Sequence, residues 1–287
     1  MSPPWRAEEG AYGSRTVTTD ISTYYLDHPT AHWADLLLLT EACRQAALSV
    51  THQFEGLPRD IAFFINSIEV EVSDVHALVD GGRELMITTL VEQLRLRGNG
   101  SPKRISYSQL GPIGTGEAAM RTTMTVQGVP KDLYRELRAY QRGGTVAPTT
   151  ADLRDSVRRR DGLSAPATVG RTQTANVVLA DLRVDGEGSS ATLAPDFSNA
   201  SLFDHDYDHF PAMVLLEAGR QLALAGTPNP SRWIATGVHA EFLRFAELDR
   251  TTTFTAHRHG DRTEIVCAQH DVTVTRMSFD LEPIGVA

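Results

Sequence analysis

Two apolar helices that carry the same polar trio constrain the fold of this chain most. One helix is predicted within HWADLLLLTEACRQAALSV (residues 32–50) and the other within DHFPAMVLLEAGRQLALA (residues 208–225). Their central segments, EACRQAA and EAGRQLA, match at five of seven positions. Because apolar residues cover every face of both helices, each helix is expected to be buried. A chain with two such helices needs two cores, one around each helix.

Segments with the composition of β-strands follow each helix. They are rich in Val, Ile, Thr and Phe and partly alternate, which favours strands. The segments are 61–72, 84–97 and 118–128 after the first helix, and 232–246, 252–259 and 263–281 after the second. Each half is therefore predicted to be one long helix beside several antiparallel strands, an α+β arrangement in which a sheet wraps a helix.

The repeat also predicts the domain limits. Residues 131–142 form an amphipathic pattern that would close the first half as a helix, and 143–166 are rich in Gly, Pro, Thr and charge, which is typical of a linker. We therefore expect an N-terminal domain over 1–142, a linker over 143–166 and a C-terminal domain over 167–287. A length of 287 residues fits two domains.

Charge and composition exclude several classes of protein. A formal net charge of −9 argues against broad binding to nucleic acid, which needs a basic face. Two cysteines without a CxxC motif provide neither a disulfide framework nor a structural zinc site. No apolar run is long enough to span a bilayer, and the N-terminus lacks the apolar region of a signal peptide. We expect a cytoplasmic protein with no nucleic-acid or membrane partner.

The polar trio lies inside an apolar helix in both halves. It consists of Glu41, Arg44 and Gln45 in the first helix and of Glu217, Arg220 and Gln221 in the second. Residues at i, i+3 and i+4 share one helical face, so they can satisfy one another. A structural ion pair explains one such trio, but two in apolar surroundings favour a functional site. A buried glutamate is expected to have a raised pKa, which suits a general acid or base.

A pair of histidines precedes each helix. The pairs are His28 and His32, then His205 and His209. Pro211 suits the first turn of a helix, where free N–H groups can hold an oxyanion or phosphate, and a histidine there can move a proton. The alternative for each histidine is a capping or packing role. The His-x-x-x-His spacing also occurs in metal sites, but Pro29 and Pro211 make these stretches loops or helix entries, so we expect no metal.

Cys43 lies between Glu41 and Arg44, where a thiolate nucleophile is conceivable. The second repeat has Gly219 at that place, so chemistry common to both halves does not use the thiol, and a buried structural cysteine is the better interpretation. The chain contains no P-loop, GxGxxG or GxSxG motif. We expect no cofactor.

The two repeats together carry a resemblance to a known family. DHFPAMVLLEAGRQ and HPTAHWADLLLLTEACRQAALSVTHQFEGLP resemble the A-factor biosynthesis family, the AfsA-type γ-butyrolactone synthases of actinomycetes. The resemblance covers nearly the whole chain, with both repeats in order. It implies a double hotdog fold, in which two tandem hotdog domains form a pseudo-dimer and each has a curved antiparallel sheet wrapping one long central helix.

The resemblance implies an acyltransferase. A β-ketoacyl group would pass from acyl carrier protein to the hydroxyl of dihydroxyacetone phosphate, and the ester would close to a butenolide phosphate, the precursor of a signalling lactone or furan. The alternatives are a hotdog thioesterase or dehydratase acting on acyl-carrier thioesters, and a non-catalytic protein that binds an acyl chain or lactone. The acyl chain, the released product, the catalytic half and the oligomeric state stay open.

Matching motifs also assign roles to residues. Glu217 and Arg220 correspond to a catalytic pair, and Glu41 to the carboxylate of the first domain, with Glu217 or Glu41 expected to deprotonate the attacking hydroxyl. His209 and His32 are expected to orient substrate or shuttle a proton. The expected substrate-binding residues are Arg44, Gln45, Gln221, Pro211, Ala212, His28 and His205.

Two departures from the family pattern make the halves unequal. The family usually reads DHxPGM, whereas Ala212 here replaces the glycine, and its Cβ would crowd a bound thioester. The spacing from histidine to glutamate is nine positions from His32 to Glu41 but eight from His209 to Glu217. The two pockets are therefore not expected to be equivalent, and one of them could serve binding alone.

Overall fold

The computed structural model describes residues 4–8, 10–17, 27–28, 35–57, 61–74, 84–111, 118–154, 161–186 and 188–284. These residues fall into two compact units. The first unit contains the described residues of 4–17 and 35–146, and the second contains Asp27, His28 and the described residues from 147 onward.

The described residues of the first unit form a six-stranded antiparallel sheet with one long helix. Its elements are β1 (Trp5–Glu8), β2 (Ala11–Val17), α1 (Leu36–Gln53), β3 (Ile61–Val72), β4 (Glu84–Leu96), β5 (Pro102–Leu110), β6 (Met120–Pro130) and α2 (Lys131–Gln141). The strand order is β1-β2-β4-β5-β6-β3. Neighbouring strands pair antiparallel throughout.

The helix α1 begins at a side-chain cap and packs on this sheet. The carboxylate of Asp35 accepts hydrogen bonds from the backbone N–H groups of Leu37 (2.8 Å) and Leu38 (3.3 Å), which satisfies two donors that the helix leaves open. The helix contacts β2, β3 and β4. The expectation of burial on every face is only partly correct, because a stripe through Glu41 and Gln45 reaches the surface.

The second unit repeats the arrangement. Its elements are α3 (Thr150–Arg154), β7 (Leu179–Asp185), β8 (Gly188–Leu193), α4 (Ala212–Ala225), β9 (Trp233–Phe242), β10 (Thr253–His259), β11 (Arg262–Gln269) and β12 (Val272–Pro283). Short 3-10 turns cover Pro166–Val169, Thr174–Asn176 and Pro230–Arg232. The strand order is β9-β12-β11-β10-β8-β7, antiparallel at every pair.

Every strand of the second unit contacts α4, so its sheet must curve around the helix. The strands β7 to β12 all touch this one helix. A flat sheet of six strands is about 24 Å wide at the usual strand spacing, whereas a helix with its side chains is about 10 Å across. Only a strongly curved sheet brings all six strands to the helix. This is the hotdog architecture that the resemblance implies.

The core of the second unit closes tightly on α4. Every residue from Val214 to Ala225 is buried. Gly219 lies where the helix comes closest to the sheet, because a Cβ added there would stand 2.9 Å from Phe279 and closer still to the sulfur of Met277. The glycine in EAGRQ is thus required by packing against β12.

The strand predictions are correct for most segments and incomplete for others. The segment 61–72 coincides with β3, and 252–259 contains β10. The segment 263–281 covers two strands, β11 and β12, which meet at a turn where His270 and Asp271 have positive φ angles of 47° and 62°. The strands β1, β2, β5, β7 and β8 had no clear sequence signal, since they are short or polar.

The boundary between the units differs from the predicted linker over 143–166. The division lies after Val146. From residue 147 the chain already belongs to the second unit, because the N–H of Thr150 donates to the carbonyl of Tyr207 (2.8 Å) and Ser164 donates to Leu179 (2.9 Å). Asp27 and His28, which lie within the predicted N-terminal domain, also belong to the second unit.

Candidate functional site

The polar trio of α4 forms a compact hydrogen-bonded group inside the second unit. Arg220 donates from Nε to Oε2 of Glu217 and from Nη2 to Oε1, both at 2.9 Å. The amide nitrogen of Gln221 donates to the same Oε1. The side chain of Glu217 is 0% exposed and that of Arg220 is 4% exposed. The predicted pairing of the trio is therefore confirmed, in a site almost closed to solvent.

A second arginine, which the sequence did not indicate, joins this group. Arg171 donates to Oε1 of Glu217 from Nε (2.9 Å) and from Nη2 (2.7 Å), and both side chains are 0% exposed. Its third nitrogen, Nη1, donates to the carbonyl of Asp27 (3.1 Å). Arg171, Glu217 and Arg220 are called the arginine–glutamate cluster below. Two guanidiniums and one carboxylate leave it with one net positive charge.

The expectation of a raised pKa for Glu217 is wrong. Burial alone does raise the pKa of this carboxyl, but the charges of Arg171 and Arg220 and the hydrogen bonds from Arg220 and Gln221 outweigh burial and hold it at about 2. Glu217 is therefore ionised at neutral pH, and five donated hydrogen bonds occupy its two oxygens. Such a carboxylate is a weak base at neutral pH.

Asp27 fixes the segment that supplies Arg171. Its Oδ1 accepts from the N–H (2.9 Å) and hydroxyl of Thr172, and its Oδ2 accepts from the N–H of Gln173 (3.1 Å) and the amide of Asn176 (2.8 Å). Burial opposes ionisation, but these hydrogen bonds hold the pKa of Asp27 below its ordinary value. Asp27 therefore acts as a charged clasp around the 3-10 turn that follows Arg171.

Gln221 connects the cluster to the same segment. Its amide nitrogen donates to the carbonyl of Asn176 (2.8 Å), and its oxygen accepts from the N–H of Val178 (3.1 Å). The side chain is fully buried and its donors and acceptor are occupied by protein. In the described structure Gln221, predicted to bind substrate, holds the start of β7 against α4.

His28 lies beside the arginine–glutamate cluster. Its sequence position, before the first helix, did not suggest this. Burial, followed by the positive charges of Arg220 and Arg171, lowers the pKa of His28 to about 4. The imidazole is therefore neutral at physiological pH, and it makes a hydrogen bond with the backbone of Trp233. His32, the other histidine of the first pair, lies outside the described residues.

The histidines before α4 have unequal surroundings. The Nδ1 atom of His209 lies 2.6 Å from the carboxylate of Asp208, and its ring packs edge-on against Phe245. The side chain is 23% exposed. His205 is also paired with an aspartate, Asp204, but it is well exposed to solvent. Only His209 combines an oriented ring with partial burial near the helix start.

Pro211 and Ala212 mark the beginning of α4. The proline was predicted in the first turn of the helix, and it lies one position before that turn. Pro211 is the N-cap residue and Ala212 the first residue of the helix. The carbonyl of Pro211 accepts from the N–H groups of Val214 (3.0 Å) and Leu215 (3.3 Å). The first N–H groups of a helix have no partner within it, so this end can polarise an oxygen atom bound there.

The trio of the first unit has the same internal geometry but more exposure. Arg44 donates to Glu41 from Nε (2.7 Å) and Nη2 (2.6 Å), and Gln45 donates at 2.8 Å. The side chains of Glu41 and Arg44 are 15% and 27% exposed, and Gln45 is exposed. Cys43 faces inward instead, where burial raises its pKa to about 12. The expected burial of this thiol is thereby confirmed.

Comparison with protein families identifies the chain. A sequence model of the A-factor biosynthesis hotdog domain, AfsA, matches residues 2–130 and 156–280, one match over each half. The chain belongs to the AfsA family. The two matched segments contain the two copies of the polar trio, so both halves carry the family's domain.

Curated members of the AfsA family are similar over most of this chain. A 2-oxo-3-(phosphooxy)propyl 3-oxoalkanoate synthase of Streptomyces virginiae is 32% identical over 251 residues, which cover 83% of this chain and 78% of the relative. The synthase of the same name from Streptomyces coelicolor is 30% identical over 217 residues, 75% of this chain and 64% of the relative. This chain thus spans less than two thirds of the Streptomyces coelicolor protein.

Solved structures share the fold of this AfsA-family chain at low identity. The 12:0-ACP thioesterase from Umbellularia californica aligns with a TM-score of 0.53 and 13% identity, covering 97% of this chain and all of that one. The dehydratase domain from the CurF module of curacin polyketide synthase aligns with a TM-score of 0.52 and 11% identity, covering 98% and 96%. Both support the tandem hotdog fold.

None of the helices in the described part of the chain has the length and hydropathy needed to cross a membrane. The described residues also contain no group of three or more His, Cys, Asp or Glu side chains arranged to hold a metal ion.

Proposed function

We propose that this protein transfers a 3-oxoacyl (β-ketoacyl) group from the thioester of an acyl carrier protein to the free hydroxyl of dihydroxyacetone phosphate. The C–S bond of the thioester breaks, the ester C–O bond forms, and the hydroxyl proton passes to the released thiol. The product is the compound for which the relatives are named. The observation that carries the proposal is the arginine–glutamate cluster, a buried cationic site suited to a phosphate-bearing substrate.

Arg220 is the proposed contact to the phosphate. Of the two cluster arginines only Arg220 has any exposure, 4% against 0% for Arg171. A guanidinium is planar and always charged, which suits a phosphate oxygen pair. Its side chain turns back to Glu217, which lies five residues after the first residue of α4, or about 8 Å along the axis at 1.5 Å per residue. A three-carbon phosphate can bridge that distance.

His209 is the proposed general base in the second unit, in place of Glu217. A carboxylate accepts and does not donate, so the contact with Asp208 keeps the proton of His209 on Nδ1 and leaves Nε2 to accept a proton. His209 is also partly exposed, whereas Glu217 is not. In this assignment Glu217 holds the two arginines and does not touch the reacting hydroxyl.

The start of α4 is the proposed oxyanion site. The first N–H groups, near Pro211 and Ala212, point away from the helix and carry its positive dipole end. They can stabilise the oxygen of the thioester carbonyl as the hydroxyl attacks. The Cβ of Ala212, at the place of the family's glycine, narrows the room for that oxygen.

The first unit is proposed to serve binding alone. Glu41, Arg44 and Gln45 keep the same mutual bonds in a more exposed setting, where charge interactions are weaker. Glu41 stays the candidate carboxylate if the first unit also carries catalysis.

We infer a cytoplasmic location from the proposed reaction, because carrier-protein thioesters and dihydroxyacetone phosphate are found in the cytoplasm.

The experiment that tests the proposal is a direct turnover assay. Purified protein is mixed with a 3-oxoacyl acyl carrier protein and dihydroxyacetone phosphate, and mass spectrometry follows the phosphorylated ester and the butenolide phosphate that is lighter by one water. The variants Arg220→Lys and Arg44→Lys form a matched pair, because each keeps the charge and removes the fork on its glutamate. Loss of product in Arg220→Lys alone supports the second unit as the catalytic one.

Other outcomes favour the alternatives. Release of free 3-oxo acid without an adduct indicates a thioesterase. When a 3-hydroxyacyl acyl carrier protein is supplied in a parallel reaction, loss of water from it without an adduct in the first reaction indicates a dehydratase. Tight binding of the acyl chain or a lactone with no turnover indicates a binding protein. Each of these results contradicts the proposed acyl transfer.

A further inference from the structure

Arg171 enters the cluster from outside the repeated helix motif. It follows the 3-10 turn Pro166–Val169, and Gly170 between them has φ 68°, in the left-handed region that glycine adopts freely. A Cβ on Gly170 would lie 2.7 Å from Leu224 of α4. The glycine therefore lets the chain turn in direct contact with α4. This turn directs the side chain of Arg171 toward Glu217.

The contacts of Arg171 are those of a fixed element. Nε and Nη2 bind Glu217, and Nη1 binds the carbonyl of Asp27, so all three nitrogens are directed at protein. The following residue, Thr172, is held by the carboxylate of Asp27 through its N–H and hydroxyl. An arginine in this state has no nitrogen to offer a substrate, but it restricts the position of the carboxylate that it grips.

The fixed position of the Glu217 carboxylate in turn restricts the orientation of Arg220. Arg220 binds both carboxylate oxygens, so the plane of the carboxylate sets the plane of its guanidinium. Without Arg171, the carboxylate would lose two of its five hydrogen bonds and one of its two compensating charges. Glu217 could then rotate or take up a proton, and the guanidinium of Arg220 would lose its fixed orientation.

We propose that Arg171 is a positioning residue for the phosphate-bearing substrate: it keeps Glu217 ionised and immobile, and thereby holds Arg220 in the orientation that receives the phosphate. The part concerning substrate rests on the function proposed above. The part concerning Glu217 does not, since it depends only on contacts within the second unit.

The variants Arg171→Lys and Arg171→Gln test the proposal, with Arg262→Gln as the control. Lysine keeps the charge but not the fork, and glutamine removes both. Arg262 belongs to the same unit but is exposed and pairs with Asp280 on the surface. Far-UV circular dichroism establishes folding at pH 7, and Arg171→Lys, which leaves no uncompensated carboxylate, carries the test if Arg171→Gln does not fold.

The first readout is the pH dependence of stability, which needs no substrate. The charged or titratable groups around Glu217 in the described residues are Arg220 on its own helix, Arg171, and Asp27 with His28. In the wild-type protein the protonation of Glu217 should lower the urea midpoint only below about pH 4.5. The reason is that the folded-state pKa of Glu217 lies below its ordinary value. In Arg171→Gln the folded-state pKa of Glu217 should rise toward or above that of the unfolded chain, so this acid-dependent loss should shrink by at least half or disappear. An unchanged acid profile overturns the proposal.

The second readout separates the two substrates. We expect KM for dihydroxyacetone phosphate to rise at least tenfold in both variants, with KM for the acyl thioester within twofold of wild type and Arg262→Gln unchanged. A diminished acid-dependent loss with an unchanged KM for dihydroxyacetone phosphate overturns the positioning role and leaves Arg171 structural. A wild-type protein that makes no adduct contradicts the proposed function instead, while the acid profile still decides whether Arg171 holds Glu217.

Discussion

Replacing Glu217 by glutamine tests the electrostatics of the buried cluster most directly. Glutamine has nearly the same shape, so the change removes the charge and leaves the guanidiniums of Arg171 and Arg220 facing each other without a carboxylate. Removing one partner of a buried pair costs about 3–5 kcal/mol. The pKa gives a similar value, because a fall from the ordinary 4.5 to about 2 corresponds to about 3 kcal/mol at neutral pH. We expect Glu217→Gln to destabilise the second unit by about 3–4 kcal/mol.

Glu41→Gln is a matched control within the same chain. The two glutamates have the same i+3 arginine and i+4 glutamine, but Glu41 and Arg44 are 15% and 27% exposed. Water can therefore solvate the arginine that is left behind, and pairs of this kind are worth about 1 kcal/mol or less. The control should destabilise the first unit by no more than about 1 kcal/mol.

The assay must report each unit separately, because a chain with two units need not unfold in one step. Hydrogen exchange with mass spectrometry gives the opening free energy of peptides from α1 and α4 in the same sample. At pH 7 the decrease in opening free energy caused by Glu217→Gln should be confined to peptides of the second unit.

Acidification provides an independent check on the same variant. The folded wild-type protein holds the proton on Glu217 more weakly than the unfolded chain does, so unfolding takes up a proton below about pH 4.5. The stability that Glu217 contributes is complete above that pH and is lost as the pH falls toward 2. In Glu217→Gln this acid-dependent component should be missing. Equal losses in Glu217→Gln and Glu41→Gln, or an unchanged acid dependence, would refute the reasoning.

Three further predictions concern the rest of the described chain. Gly219→Ala should destabilise by about 2 kcal/mol in urea unfolding, because the overpacking against Met277 exceeds the gain in helix propensity. Asp208→Asn should lower kcat/KM of the proposed reaction at least tenfold, since His209 loses the acceptor that fixes its tautomer. Asp35→Ala should cost about 1 kcal/mol in hydrogen exchange of α1, because two N–H groups lose their cap.

Each of these changes has a control in the chain. Gly226→Ala meets only ordinary contacts, 3.5 Å from the carbonyl of Ala223, and should be tolerated. Asp204→Asn acts on the exposed His205 and should leave activity within twofold of wild type. Asp35→Asn retains a capping oxygen and should restore most of the loss. A control that behaves like its partner contradicts the corresponding argument.

The sequence predicted the architecture where local pattern and packing agree. The helices α1 and α4 stood out because the EAxRQ trio recurs in apolar surroundings, and β3 and β10 because β-branched and aromatic residues dominate them. The short or polar strands, among them β8 with the sequence GSSATL, lack such a signal, since neighbouring strands stabilise them more than their own composition does.

The site was predictable along one helix and not across the fold. Glu217, Arg220 and Gln221 are local in sequence, so their contacts follow from helical spacing. Arg171 is 46 residues from Glu217, in a polar segment with no periodicity, and its importance depends on a turn at Gly170. The direction of the pKa of Glu217 could not be predicted for the same reason, because burial was visible in the pattern and the second positive charge was not.

The place of Asp27 in the second unit has a consequence for the order of synthesis. A ribosome makes Asp27 before α1, yet its carboxylate clasps Thr172 and Asn176, which emerge more than 140 residues later. The second unit therefore cannot complete its clasp from its own contiguous stretch of chain. A gene fragment that starts at residue 147 would encode every strand that the structure describes in the second hotdog, and its central helix α4, but not this clasp. The segment around Asp27 cannot make these contacts until the segment around Thr172 has been synthesised. This dependence favours keeping both halves in one polypeptide over encoding them in separate genes.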